Sequence, residues 1–212
     1  MLKKIPKIIK RHIAENSKKY LMLFAFYFAG AAAGAFCVNG LNSTQKNELL
    51  DYFNGFIELF NNHGTDTGQL FKSSLLSNYM FVLLIILCAV SIIGFFLIYI
   101  IIAVKGFISG FSSGIIIGVA GMKGMLFVAV GLLPKEIIVV PCIIGIGVSC
   151  INYSLSLLKH KSVAGHFSKH IKSALVLMLI TVLIYGAILF AGVIVETYVI
   201  PVLIRMIIPI FN

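Results

Sequence analysis

The sequence predicts an all-α fold, a polytopic membrane helix bundle of about five transmembrane helices with a glycine-rich, broken third span. Three observations lead there. Hydrophobic residues make up 60% of the 212 positions and charged residues only 11%, where a soluble domain carries about 25% charged residues. Mean hydropathy is +1.06, so a soluble enzyme and a disordered chain are both excluded. The apolar residues also fall in long charge-free runs, and a helix needs about 20 apolar residues to cross the hydrocarbon core.

Residues 1–19 form a basic segment with Lys3, Lys4, Lys7, Lys10, Arg11, Lys18 and Lys19 against the single acid Glu15. Ile5, Ile8, Ile9, His12 and Ile13 fall at helical spacing, with the lysines on the other face. This amphipathic pattern suits anionic lipid on the inner leaflet. It serves equally as an orientation signal.

Residues 20–212 form a single membrane domain, with its first span over 20–38. Basic residues, an apolar run and Ala33-Gly34-Ala35 imitate a secretory signal, but the run is longer than the usual core of about 7–15 residues. A retained anchor is expected. The loop 39–78 carries Lys46 and Lys72 against Glu48, Asp51, Glu58 and Asp66, which places it outside. Within it, Asn42 and Gln45 have capping-box spacing. Leu49, Phe53, Phe56, Ile57 and Phe60 then form one apolar face until Asn61-Asn62-His63-Gly64 stops the helix. That face packs on the bilayer or bundle, or docks a partner, with Phe53, Phe56 and Phe60 as candidate docking residues.

The second span is expected over 79–102, with Lys105 marking its inner end. The third, 106–133, is read as one crossing broken near Gly121–Gly124, because a hairpin there would put the later basic loop outside. Gly106, Gly110, Gly114 and Gly118 give three overlapping GxxxG units, and Gly30 and Gly34 add another. Such stripes let helix backbones approach closely, within one bundle or between copies in a homo-oligomer. Lys123 is a candidate functional intramembrane charge, or it snorkels from the break to a headgroup.

The fourth and fifth spans are expected over 137–158 and 173–195, joined by a loop Lys159–Lys172 with four lysines, three histidines and no acid. That loop is cytoplasmic by the same rule, giving a cytoplasmic N-terminus and an external C-terminus. Residues 197–212, with Arg205, Pro201 and Pro209, are read as an interfacial tail.

Chemistry-bearing patterns are weak. Gly110-Phe111-Ser112-Ser113-Gly114 matches G-x-S-x-G, but it lies on a membrane helix without the strand–turn–helix setting that motif requires. His166 and His170 stand at i, i+4 without a third ligand. Cys37, Cys88, Cys142 and Cys150 show no CxxC and read as packing residues. No catalytic residue, cofactor, metal or nucleic acid is expected.

The order of several short pieces resembles the stage II sporulation protein M family. His12-Ile13-Ala14-Glu15-Asn16 precedes the first span, which ends in small residues Gly30–Gly34 and leads to Asn39-Gly40 and Gln45-Lys46. Lys105-Gly106-Phe107-Ile108-Ser109-Gly110-Phe111, Gly121-Met122-Lys123-Gly124 and Leu132-Leu133-Pro134 follow, with Pro141 after them. The wider family often has His-Gly after the first of these prolines and Glu two residues before the second. Here those positions hold Lys135, Glu136 and Val139, which agrees better with the sporulation branch.

The resemblance implies a non-enzymatic anchor or scaffold acting in forespore engulfment, with the stage II sporulation proteins D and P, which degrade septal peptidoglycan, as partners. The competing expectations are a small transporter or permease subunit with a midplane site at the broken third span, an intramembrane protease using Ser112 or Ser113, and a membrane-bending protein.

Overall fold

The computed structural model describes residues 13–62, 67–91, 93–161 and 169–207, and among them every regular element is helical. Five of the described helices are α1 (Ser17–Cys37), α2 (Ser43–Asn62), α3 (Thr67–Val90), α4 (Gly94–Phe127) and α5 (Leu133–Lys161). α6 (Lys169–Ile194) and α7 (Ile200–Ile207) follow, and single π-helical segments, Val128–Leu132 and Val195–Val199, lead into α5 and α7. The amphipathic N-terminal pattern and the His166 position lie outside the described residues, as do the side chains of His170, Phe53, Phe56 and Phe60.

Among the described residues, four stretches are long and apolar enough to cross a membrane: Ser17–Gly40, Thr67–Val90, Gly94–Leu158 and Ile171–Met206. The third, at 65 residues, doubles back. Gly121 has φ 57° and ψ −130°, a backbone region open to glycine alone, and the chain turns so sharply there that Gly124 lies against the backbone of Ile116. Ser109 then meets Glu136, and Ile102 meets Gly147, so α5 runs antiparallel to α4.

This differs from the expected single crossing over 106–133. The break is at the expected place, but a left-handed glycine reverses the chain there. The second turn also differs: it falls just after Val90, where Ser91 N–H donates to the Cys88 carbonyl and Gly94 N–H to the Ser91 carbonyl. Gly94 sits against the Cys88 backbone, so the tight turn requires a residue with no Cβ. Lys105 is therefore mid-helix rather than at the end of a span over 79–102. Residues 197–207, expected as an interfacial tail, continue α6 through the π segment, and Ile204 packs on Gly131.

α1 and α4 form the most extensive helix pair. They run parallel: Tyr27 meets Gly106, Ala31 meets Gly110 and Ala35 meets Gly114. A Cβ on Gly30, Gly34, Gly106 or Gly110 would collide with the facing backbone, so the glycines of both helices are used within one chain. Gly114 is tighter than ordinary contact, whereas Gly118 reaches only a Val38 methyl at 3.4 Å.

The other long helices alternate in direction. Tyr79 hydroxyl donates to the Gly186 carbonyl and Ser74 reaches Glu196, so α3 is antiparallel to α6. Gly145 receives the Tyr185 ring and Gly192 the side chains of Ile138 and Val139, so α5 is antiparallel to α6. The core between them contains Leu23, Ile85, Ile98, Ile102, Ile144, Ile146, Ile151 and Leu189, all fully buried. The start of α1, the α3–α4 turn and the far end of α5 share one end of the bundle, where Lys19 and Asn16 reach Asn152 and Ser154 reaches the Ser91 carbonyl.

On the loop side, α2 begins with the expected capping box: Gln45 N–H donates to Asn42 Oδ1 at 2.9 Å, and Asn42 N–H to Gln45 Oε1 at 3.1 Å.

Candidate functional site: a charged centre inside the bundle

Successive residues on a helix are about 100° apart, so Lys135 and Glu136, both on the first turn of α5, serve two different sides of the bundle. Glu136 faces α1 and α4. Its Oε1 accepts from Ser109 Oγ at 2.8 Å and its Oε2 from the Tyr27 hydroxyl at 3.2 Å. Lys135 faces α3 and α6, where its ammonium pairs with Glu196 Oε1 at 2.7 Å. The other oxygen of Glu196 accepts from Ser74 Oγ at 2.5 Å and from Asn78 Nδ2 at 3.4 Å. Asn78 also donates to the Ser74 carbonyl at 2.9 Å, one turn away.

The two π segments flank this ion pair. Glu196 lies within one, and the other ends three residues before Lys135. A π turn adds one residue to a helical turn and shifts the side chains that follow.

Between the two halves stands Lys105 on α4, only 8% exposed. Its ammonium lies 5.1 Å from the centre of the Phe81 ring. Glu136 and Glu196 both attract it electrostatically and Lys135 repels it. The formal charge of Lys105, Lys135, Glu136 and Glu196 sums to zero, as burial demands: an unpaired charge in a low-dielectric interior costs several kcal/mol.

Toward the end that holds Lys19, the charged centre is closed by an apolar layer. Gly147 packs there on Ile102, Leu23 and Ile98. Beyond the charged groups, Tyr20 and Tyr185 exchange a hydroxyl hydrogen bond of 3.0 Å.

On the α1 side, a cavity of about 410 Å³ lies between α1, α4 and α5. Phe24, Tyr27, Phe28, Ile137 and Val140 form much of its wall, and Glu136 and Ser109 supply polar atoms.

The residues expected to matter are distributed differently. The glycines Gly30, Gly34, Gly106 and Gly110 make the α1–α4 seam. Lys123 is exposed, two residues past the reversal at Gly121, and is no part of the charged centre. Ser113, in the hydrolase-like motif, donates to the Ser109 carbonyl at 2.9 Å, an ordinary bond back along its own helix. Among the described residues no group of three or more His, Cys, Asp or Glu could hold a metal ion.

Lys105, Lys135, Glu136 and Glu196, none of them singled out as a site residue from the sequence, come together inside the bundle. In the sequence each of them bounds a charge-free run, which disguises it as a membrane exit. A usable signal is nevertheless present, since two lysines and two acids interrupt apolar sequence away from both basic clusters.

An all-helical, multi-pass membrane protein with a neutralised charged centre is the class that this fold and site define. The description "Stage II sporulation protein M" matches residues 23–201, and the chain belongs to that family. It is therefore a sporulation membrane protein. No curated protein and no solved structure matches it.

Proposed function

We propose that the chain is a non-catalytic membrane anchor that gathers peptidoglycan-degrading enzymes during forespore engulfment, with the stage II sporulation proteins D and P as its partners. Family membership over residues 23–201 carries this reading. The architecture supports it. The backbone-to-backbone seam of α1 and α4 and the buried charged centre hold the helices in fixed relation, as a platform needs. In this reading the chain crosses five times, with the N-terminus and the Lys159–Lys172 loop cytoplasmic and α2 and the C-terminus external. The helix directions suit that arrangement, because the start of α1 and the end of α5 share one end of the bundle.

Affinity purification from sporulating cells is expected to recover peptidoglycan hydrolases. Replacing Phe53, Phe56 and Phe60 with Ala is expected to abolish that recovery at unchanged membrane levels. Unchanged recovery would refute the α2 docking site, and an eluate without hydrolases would refute the anchor.

A second reading, a small transporter, is favoured by one observation: the charged centre around Lys105, since ionisable groups at membrane depth commonly line transport paths. Substrate-dependent flux in proteoliposomes, lost on Lys105→Met, would establish it over the anchor.

A further inference from the structure

The cavity beside the charged centre has an asymmetric wall. Of the four charged groups, Glu136 alone lines it; Lys105, Lys135 and Glu196 are absent from its lining. The remaining wall is largely apolar and aromatic, with Phe24, Tyr27 and Phe28 on α1. Its rim faces outward from the bundle: Phe28, Leu133 and Ile137 are exposed, Ile137 by 71%. In a membrane-spanning bundle such apolar exposure meets lipid, so the opening is lateral. The volume of about 410 Å³ lies within the range of small-ligand sites, about 300–1,000 Å³.

Glu136 spends one bond on Ser109 and one on Tyr27. A carboxylate offers about four acceptor positions, so it retains capacity for further donors. An N–H donor carrying positive charge would gain a charge-assisted bond there, and the aromatic faces would favour the same cation. The lysines behind the wall do not occupy that place.

We infer that this cavity is a binding site for an ammonium-bearing amphiphile that enters sideways from the lipid phase, with Glu136 receiving the ammonium and the α1 aromatics enclosing the apolar body. The inference is independent of the anchoring role. Two sources share this chemistry, a membrane lipid with a primary ammonium headgroup and a free lipophilic amine.

The test uses the full chain in phosphatidylcholine nanodiscs, with dodecylammonium as probe, dodecanol as its uncharged counterpart and protein-free discs as background. Saturable dodecylammonium binding is expected, about tenfold or more tighter than dodecanol. Glu136→Gln should remove that preference. Ile137→Trp, at an exposed rim position where a larger ring meets no core, should weaken both ligands, with thermal unfolding confirming that each variant is folded. Competition by phosphatidylethanolamine in the disc would identify the lipid source, and its absence the free amine; both uphold the site. Equal affinity for amine and alcohol, or an unchanged preference in Glu136→Gln, would overturn it.

Discussion

The carbonyl of Tyr27 fills the space that a side chain at Gly106 would occupy. The same relationship recurs one turn along, where the backbone of Ala31 fills the place of a Cβ at Gly110. Two parallel helices thus touch through their main chains, where a methyl group has no flexible neighbour to displace.

Gly106→Leu and Gly110→Leu are therefore expected to separate α1 from α4. Overpacking a core usually costs about 1–3 kcal/mol, and a clash with main chain belongs at or above the top of that range. Gly118→Ala, whose Cβ would meet a Val38 methyl at ordinary contact distance, is expected to stay within about 0.5 kcal/mol. Thermal unfolding in detergent distinguishes them. A leucine variant that unfolds normally but loses only self-association would show that the stripe serves a contact between copies.

At Gly121 the constraint is the backbone rather than space. No neighbouring atom stands within 4 Å of the place a methyl group would take there, yet φ is +57°. Gly121→Ala should cost about 1–3 kcal/mol through strain alone. Gly186→Ala, also in open space but within regular α6, should be neutral or slightly stabilising. Equal unfolding temperatures for the two variants would contradict a left-handed turn.

Lys135 and Glu196 form a pair that is mostly withdrawn from the surface, 23% and 15% exposed. Breaking a buried pair from one side costs about 3–5 kcal/mol, because the remaining charge is stranded. Lys135→Met and Glu196→Gln are each expected to lower stability by that order. The double variant should recover much of the loss, since the Gln amide oxygen still accepts from Ser74 and Asn78. A strictly additive double variant would show that the two groups do not couple.

Lys105 offers a similar test across α4 and α5. Lys105→Met should destabilise the bundle by leaving the acids in excess. Glu136→Gln in the same chain should restore part of that stability, with a coupling of about 0.5–3 kcal/mol. A coupling of zero in a double-mutant cycle of unfolding measurements would separate Lys105 from the charged centre.

Much of this molecule is legible before folding. Charge-free runs reveal a helical membrane bundle because hydrocarbon tolerates little else. Asn42 and Gln45 announce the start of α2, because capping is a local event. The spacing of Gly106, Gly110 and Gly114 announces close packing. The limits of the helices are less legible, because each charge reads locally as an exit from the membrane. Lys105 and Glu196 break that rule by finding partners on other helices, and a partner distant in the chain leaves no local trace.

The sequence by itself determined the solvent, the helical class and the presence of a close-packing stripe, since composition and periodicity carry all three. Only the tertiary structure decided that α1 is the surface the stripe meets, that Gly121 reverses the chain, and that Lys105, Lys135, Glu136 and Glu196 share one interior. The physical reason is that neutralising a charge inside a bundle depends on which helices lie side by side, and that is a property of the assembled fold.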